Sequence, residues 1–382
     1  MEMAFWCCLA LVTYTYVGYG ALLWLLLKAK NRLRPPETPS MPEEADMPVM
    51  TLMITAWNEQ DVVEEKMENI RALDYPRDRL TVMWVTDGSD DGTNDLLRHY
   101  PEVKLVYSPE RRGKAAAMKH GLQENKAPIV VFTDANTMMN REALKEIGRL
   151  FVDPRVGCVS GEKRVSPKVA GGESKEVALD EGLYWKYEST LKRWDSQLYS
   201  AMGAAGELFA VRMSCYEEAP SNALLDDFMI SMLILRRGYR IAYTADAYAV
   251  ENGSANMEEE GKRKRRIAAG GLQSCWWLRG MMNPFNNPIV AFQFVSHRVL
   301  RWTMAPVALL ALIPINVALV MTNAGWIYTL GWVLQVFFYL AAIVGKPRAV
   351  RYFIFMNMNV FRGVAYLWTH RKSGTWEKSR RA

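Results

Sequence analysis

The chain has 382 residues and a formal net charge of +6; 50% of its residues are hydrophobic and 23% are charged. Long apolar stretches without charged side chains lie near both ends, whereas the charged residues concentrate in the middle. This segregation excludes a single soluble globule and predicts an integral membrane protein with a soluble central domain.

Basic residues cluster beside the apolar stretches. They comprise Lys28, Lys30, Arg32 and Arg34 after the first stretch, and Arg371, Lys372, Lys378, Arg380 and Arg381 near the end of the chain. This placement is typical of anchoring at an anionic membrane surface, so we expect membrane lipids and no nucleic acid among the partners. Neither the five cysteines nor the four histidines show metal-ligand spacing, which argues against a zinc site.

The first apolar stretch, Met3 to Leu27, is long enough to span a bilayer and lacks a small-residue cleavage site. We therefore predict a transmembrane helix within residues 1–34, with its basic end in the cytoplasm. A linker rich in Pro and Glu follows over residues 35–48.

Residues 49–280 alternate between short apolar runs and segments with helical spacing. The predicted strands are Met50–Thr55, Leu80–Thr86, Lys104–Tyr107 and Pro128–Thr133, and the predicted helices are Glu59–Ala72, Gly92–His99, Lys114–Gln123, Lys175–Arg193 and Phe228–Arg237. Repeated β-α-β units predict an α/β domain with a mostly parallel sheet. Ligands bind at the carboxyl ends of such strands, so we expect Asn58, Asp87 and Asp134 on one rim.

The C-terminal part is apolar again. Residues 281–302 combine apolar side chains with His297, Arg298 and Arg301, which predicts an amphipathic interfacial segment. Within the membrane region 303–370, Thr303–Val320 and Trp326–Val344 are predicted spans.

The last apolar stretch, Tyr352–Trp368, is interrupted by polar side chains. A third full span would place the basic tail, residues 371–382, outside the cell, against the positive-inside bias. The stretch is therefore re-entrant or interfacial, or the bias is broken here.

Three motifs at or beside the expected rim can bind parts of a nucleotide diphosphate. Asp134 and Asn136 stand two residues apart at a strand end, point to the same side and can hold a divalent cation; an ordinary turn is the alternative. The glycine-rich turn from Asp87 to Thr93 can accept hydrogen bonds from a base or ribose, or serve as a capped β-α turn. Arg111 to Lys114 suits phosphate binding at a helix N-terminus, or forms a solvated loop.

Asp226 and Asp227 precede an apolar helix. Adjacent carboxylates in apolar surroundings can include one with a raised pKa, suited to a general base; we assign Asp227 as the base and Asp226 as the helix cap. The basic run Lys262 to Arg266 is either a membrane-surface patch or a set of cations that neutralise a diphosphate leaving group.

Seven segments in order resemble glycosyltransferase family 2, in particular its membrane-integrated cellulose, chitin, hyaluronan and poly-N-acetylglucosamine synthases. They are TAWNEQDVVEEKMENIRALDYP, VTDGSDDGT, RRGKAAAMKHGL, VFTDAN, GAAGELFAVR, LDDFMISMLILRRGYR and KRKRRIAAGGLQ. The resemblance implies a GT-A-like, Rossmann-related cytoplasmic domain with flanking transmembrane helices. It also implies a UDP-linked sugar as donor, a glycan or lipid-linked acceptor, inversion at the anomeric carbon, and residence in a bacterial cell membrane.

The same resemblance implies residue roles. The donor would be bound by Thr55, Asn58, Glu59, Asp87, Lys114, Asp134, Arg263 and Arg266. Gly206 and Glu207 would border the acceptor, Asp134 and Asn136 would hold Mg²⁺ or Mn²⁺, and Asp227 would be the catalytic base.

Two departures from the family pattern bear on the product. Asn136 replaces the second Asp of the metal motif, and Ile267 stands where processive members carry a Trp that holds the acceptor. Trp276 and Trp277 lie close enough in sequence to substitute for it. We expect one or a few sugars to be added; a processive polysaccharide synthase and a non-catalytic membrane scaffold are the alternatives.

Overall fold

The computed structural model describes residues 1–35, 39–166 and 173–369. An eight-stranded sheet, in the order β3-β2-β1-β4-β7-β6-β8-β5, forms the central domain. The strands are β1 Met50–Ala56, β2 Leu80–Asp87, β3 Val103–Ser108, β4 Ile129–Asp134, β5 Met138–Met139, β6 Val156–Ser166, β7 Leu208–Arg212 and β8 Arg240–Asn252. The four strands predicted from sequence are confirmed, whereas β5 to β8 were not predicted.

The helices are α1 Glu2–Leu33, which contains a π-helical turn at Tyr14–Gly18, α2 Gln60–Arg71, α3 Thr93–Leu97, α4 Lys114–Gln123, α5 Ala143–Leu150, α6 Glu173–Leu198, α7 Asp226–Arg236, α8 Met257–Trp277, α9 Met304–Met321, α10 Trp326–Val344 and α11 Arg348–Thr369. A segment of residues 288–302, here called the connecting segment, joins the central domain to α9. It consists of Pro288–Phe294, a π-helical turn at Val295–Val299, and Leu300–Trp302.

The sheet is buried on both faces because successive side chains of each central strand enter different cores. On β1, Met53 packs with Val85 on one face, while Leu52 and Ile54 pack with Trp84 on the other. Strands buried on both sides read as continuous apolar runs, which is why β1, β2 and β4 are visible in the sequence.

The parallel register brings the predicted rim together. Thr55 of β1 lies opposite Asp134 of β4 and Val85 of β2, and β2 continues to Asp87. The carboxyl ends of these strands therefore meet at one edge, as predicted. The far half is mixed, since β7 runs antiparallel to β4 and β6.

Three helices within the described residues are long and apolar enough to cross a membrane: α1, α9 and α10. The last helix, α11, is not among them and packs on α8, where a Cβ on Gly363 would lie 2.8 Å from the Cβ of Ala268. Tyr352 of α11 also donates a 2.8 Å hydrogen bond to Glu260 of α8. This packing attaches the last apolar stretch to the central domain. The basic tail, residues 371–382, lies outside the described residues.

The polar side chains of the connecting segment are buried in the protein and do not form the exposed face of the predicted amphipathic helix. His297, Arg298 and Arg301 are buried. His297 pairs with Asp195, and both arginines bind Glu188, at 2.5 Å and 2.9 Å. The basic side chains therefore attach this segment to α6 of the central domain instead of reaching lipid headgroups. They pair with carboxylates there because an unpaired buried charge is costly.

Candidate active site

Asp87 fixes the loop that carries the basic motif. Its carboxylate accepts hydrogen bonds from the backbone N–H of Arg112 at 2.9 Å and of Gly113 at 2.6 Å. A Cβ on Gly88 would lie 2.6 Å from the backbone nitrogen of Arg111, so only glycine allows the loop to approach this closely. Asp87 thus positions the start of α4 and keeps lone pairs for a further donor.

The turns after β1 and β2 are bound to each other. Asn58, with a φ of 52°, donates to Asp90 at 2.7 Å and accepts from its backbone N–H at 3.0 Å. The Glu59 backbone N–H donates to the hydroxyl of Thr93 at 3.0 Å. Asn58 through its side chain and Glu59 through its backbone N–H therefore hold the rim beside Thr55.

Lys114 and Asp134 form an ion pair at 2.5 Å where α4 meets the end of β4. Burial lowers the pKa of Lys114, but the charges of Asp134 and Asp226 outweigh that effect and hold the pKa above its ordinary value. Lys114 is therefore a fixed cation among the site's carboxylates, suited to neutralising charge on a diphosphate.

Asp226 and Asp227 open α7, whose N-cap residue is Leu225; the predicted cap role of Asp226 is therefore wrong. Burial raises the pKa of Asp227 to about 7, and the neighbouring charge of Asp226 adds to the shift. Gly206 faces this carboxylate, because a Cβ there would lie 2.9 Å from Oδ2 of Asp227. Asp227 thus has a pKa suited to a general base, and it lines a pocket that an acceptor could enter.

Glu207 and Arg263 belong to a buried charge cluster. Glu207 binds Lys163 at 2.7 Å and Arg263 at 2.9 Å, and Arg263 also binds Glu181 at 2.6 Å. Burial raises the pKa of Glu207, but Lys163 and Arg263 outweigh this and hold it below its ordinary value. Arg263 thus holds Glu207 and α8 in place and also lines the pocket, so its contact with the diphosphate stays a prediction.

Arg266 is the arginine of the basic run whose surroundings fit the predicted donor role. Burial lowers the pKa of Arg266, with a contribution from Arg263, whereas Asp226, Asp227 and Asp134 oppose the shift. These carboxylates and Arg266 line one pocket of about 180 Å³, together with Lys114, Gly206 and Glu207. The residues predicted as base, as cations for the diphosphate and as acceptor contacts therefore line one cavity.

Residues 48–270 match the model of the family described as "Glycosyltransferase like family 2". The chain belongs to this glycosyltransferase family. It is 24% identical over 302 residues to β-monoglucosyldiacylglycerol synthase of Synechocystis sp., covering 72% of this chain and 60% of the relative. It is 25% identical over 201 residues to poly-β-1,6-N-acetyl-D-glucosamine synthase of Staphylococcus aureus, covering 51% and 47%. This chain thus spans about half the length of the curated relatives it matches.

A mannosyltransferase from Pyrobaculum calidifontis, solved with GDP-Man and Mn²⁺, superposes with a TM-score of 0.72 at 24% identity. The superposition covers 96% of this chain and 99% of that chain. Together with the family match, it confirms the predicted GT-A-like α/β fold of this chain.

Aromatic side chains that the sequence analysis did not single out also line the pocket. Tyr184 and Trp185 of α6 and Trp302 of the connecting segment line it, beside Ile267. Trp276 is 68% exposed and, like Trp277, is not among the lining residues. The predicted substitutes for the missing tryptophan are therefore not at the site.

The polar side chains at the end of β4 fit a divalent cation only in part. Asp134 and Asn136 could offer oxygen ligands, and Oδ2 of buried Asp226 has no hydrogen-bond partner. Within the described ranges, no group of three or more His, Cys, Asp and Glu side chains could hold a metal. A bound cation would thus need ligands from the donor, as a diphosphate provides.

Lys66 is a further site residue that sequence reasoning missed. It is fully buried on α2, and its ammonium donates to the carbonyl of Thr137 at 2.5 Å and to the hydroxyl of Thr133 at 3.3 Å. Burial lowers the pKa of Lys66 to about 7, against the charge of Asp134. Through these bonds Lys66 supports the turn that carries Asp134 and Asn136. The sequence did not reveal this role, because a lysine in a helix usually indicates a solvent-exposed face.

Proposed function

We propose that this protein is an inverting glycosyltransferase that moves a sugar from a UDP-linked donor to a hydroxyl of a glycan or lipid-linked acceptor. The observation that carries the proposal is the convergence of Asp227, Lys114 and Arg266 on one pocket. A base whose pKa is near 7 faces cations that can receive a diphosphate, which is the arrangement that a single displacement requires.

In this mechanism, Asp227 accepts the proton of the acceptor hydroxyl as its oxygen attacks the anomeric carbon. The new carbon–oxygen bond forms as the bond to the diphosphate breaks, and the electron pair leaves with the nucleoside diphosphate. Lys114 and Arg266 stabilise that negative charge. A divalent cation held by Asp134 and Asn136 would supply further positive charge to the diphosphate. Attack from the side opposite the leaving group inverts the anomeric centre.

The number of sugars added depends on how the acceptor is held. Ile267 lies in the pocket where a tryptophan would hold the chain end in processive members. The relatives' names include both a glucolipid synthase and a polysaccharide synthase, so similarity supports either product. We propose addition of one or a few sugars, at the cytoplasmic face that the basic residues after α1 indicate.

Purified protein incubated with a panel of UDP- and GDP-linked sugars tests this proposal. We expect donor turnover with a UDP-sugar, and a product of inverted anomeric configuration by NMR. Asp227→Asn should bind donor normally but transfer roughly 10²–10⁴-fold more slowly. Transfer by that variant at a rate near wild type would overturn the assignment of the base.

A further inference from the structure

A second cavity, of about 230 Å³, adjoins the catalytic pocket on the side of α1. Tyr184, Trp302 and Met356 line both spaces, so the two meet at these side chains. The remaining wall comes from α1, α6, α11 and the connecting segment, and includes Tyr16, Tyr187, Arg301, Phe353 and Asn357. Because α1 is a candidate span, this cavity lies between the catalytic pocket and the membrane region.

Most polar groups of this wall already have hydrogen-bond partners, either within the wall or behind it. Tyr16 donates to Asn357 at 2.6 Å, and Tyr187 donates to the carbonyl of Tyr16 at 2.8 Å. Tyr352 donates to Glu260 at 2.8 Å, and Arg301 to Glu188 at 2.9 Å. With these hydroxyls engaged elsewhere, the aromatic rings face the cavity. Sugar hydroxyls placed there would lose hydrogen bonds to water without replacement, whereas a hydrocarbon chain would gain apolar contact.

A buried cation stands in the catalytic pocket near this junction. Lys192 of α6 is 5% exposed and lines the pocket, with its ammonium 5.5 Å from the ring centroid of Trp185. In the described part of the chain it forms no hydrogen bond and no ion pair. Glu188, Glu207 and Glu162 act on this ammonium only from beyond ion-pair distance, so an anionic group bound directly to it would add stability.

We propose that the acceptor is a lipid phosphate: its hydrocarbon chain occupies the aromatic cavity, its phosphate lies at Lys192, and the hydroxyl to be glycosylated lies at Asp227. The inference rests on the proposed transferase function and names the acceptor class for the same site. Lys192 and Asp227 line one pocket, and that pocket shares Tyr184, Trp302 and Met356 with the aromatic cavity, so one molecule can reach all three.

Photolabelling without donor tests the binding site directly. The full-length protein in phosphatidylcholine nanodiscs is labelled with dodecyl phosphate that carries a diazirine in its chain, or with dodecyl β-glucoside that carries the same diazirine. We expect the phosphate probe to label α11 and α6 at the cavity. Lys192→Gln should reduce its labelling about tenfold, since a hydrogen bond to a charged group is lost, and should leave the glucoside unaffected.

Met356→Trp fills the junction and should abolish cavity labelling by both probes. Met358→Trp is the matched control, because the same substitution on the same helix falls on a side chain that is 46% exposed and outside the lining. Val360→Trp repeats the test if Met356→Trp does not fold. Each variant is checked by its thermal unfolding midpoint.

Labelling confined to the outer surfaces of the spanning helices, unchanged in Met356→Trp and Val360→Trp, would overturn the tail site. Equal labelling by both probes, with no effect of Lys192→Gln, would overturn the phosphate site. Sugar transfer is measured separately. If the cavity is labelled as expected but no sugar is transferred, the proposed function is wrong and the lipid site stands. If sugar is transferred but the cavity is not labelled, only the lipid site is wrong.

Discussion

Gly206 lies directly against the carboxylate of Asp227: a Cβ added at position 206 would approach Oδ2 to 2.9 Å. That distance is too short for an ordinary carbon–oxygen contact, so any side chain there would displace the proposed base. The glycine that sequence resemblance placed at the acceptor thus protects the position of the base.

Gly206→Ala should therefore lower kcat by roughly 10²-fold, the loss that a misplaced catalytic group can cause. Donor affinity should change little, because the substitution is directed at Asp227. Gly182→Ala is the matched control, since a Cβ on Gly182 meets nothing within 4 Å. Steady-state transfer kinetics decide the matter, and similar kcat values for the two variants would contradict the contact.

The rate should depend on pH through Asp227. A general base acts in its deprotonated form, and burial raises the pKa of Asp227 to about 7. We expect kcat/KM to fall as the pH decreases below about 7 and to level off above it. A profile measured in buffers of constant ionic strength, flat from acidic to alkaline pH, would exclude Asp227 as the titrating base.

Chelation should abolish transfer. Asp134 and Asn136 are oxygen ligands that suit Mg²⁺ or Mn²⁺ when a diphosphate completes the coordination shell. EDTA treatment followed by addition of either ion should restore the rate, and Asp134→Asn should require more metal for half-maximal activity. Calorimetry of metal binding with donor present provides a readout apart from turnover; full activity after thorough chelation would refute the metal requirement.

Loss of Arg263 should mainly lower stability, whereas loss of Arg266 should mainly weaken donor binding. Arg263→Gln leaves Glu181 and Glu207 buried with less compensation, so it should destabilise the protein by about 3–5 kcal/mol. Arg266→Gln should weaken donor binding with a smaller change in the thermal midpoint. Thermal unfolding and donor titration of both variants test this pair, and equal midpoints would contradict the assignment.

Ile267→Trp should lengthen the product without changing donor choice, because an aromatic ring can stack on the terminal sugar of an acceptor. Wild type should give a ladder that begins with the singly extended acceptor. The measurement is product length at limiting enzyme and excess acceptor. Long chains made by wild type while most acceptor stays unmodified would show processivity and contradict the prediction.

The sequence by itself determined the elements whose signal is local. Strands β1, β2 and β4 are buried on both faces and therefore read as apolar runs. The parallel β-α-β rule then placed Asp87 and Asp134 on one rim without knowledge of the structure. The spans α9 and α10 follow from length and hydropathy in the same way.

Only the tertiary structure decided the partners of buried charges. Arg263 and Arg266 stand in one basic run, yet Glu181 and Glu207, far away in sequence, bind the first and leave the second among the carboxylates of the pocket. Lys66 likewise resembles a surface lysine in the sequence, and only the fold shows that its ammonium binds the carbonyl of Thr137. Periodicity reports which face of a helix is apolar. It does not report which distant carboxylate or carbonyl compensates a charge, because that pairing forms only when separate elements pack together.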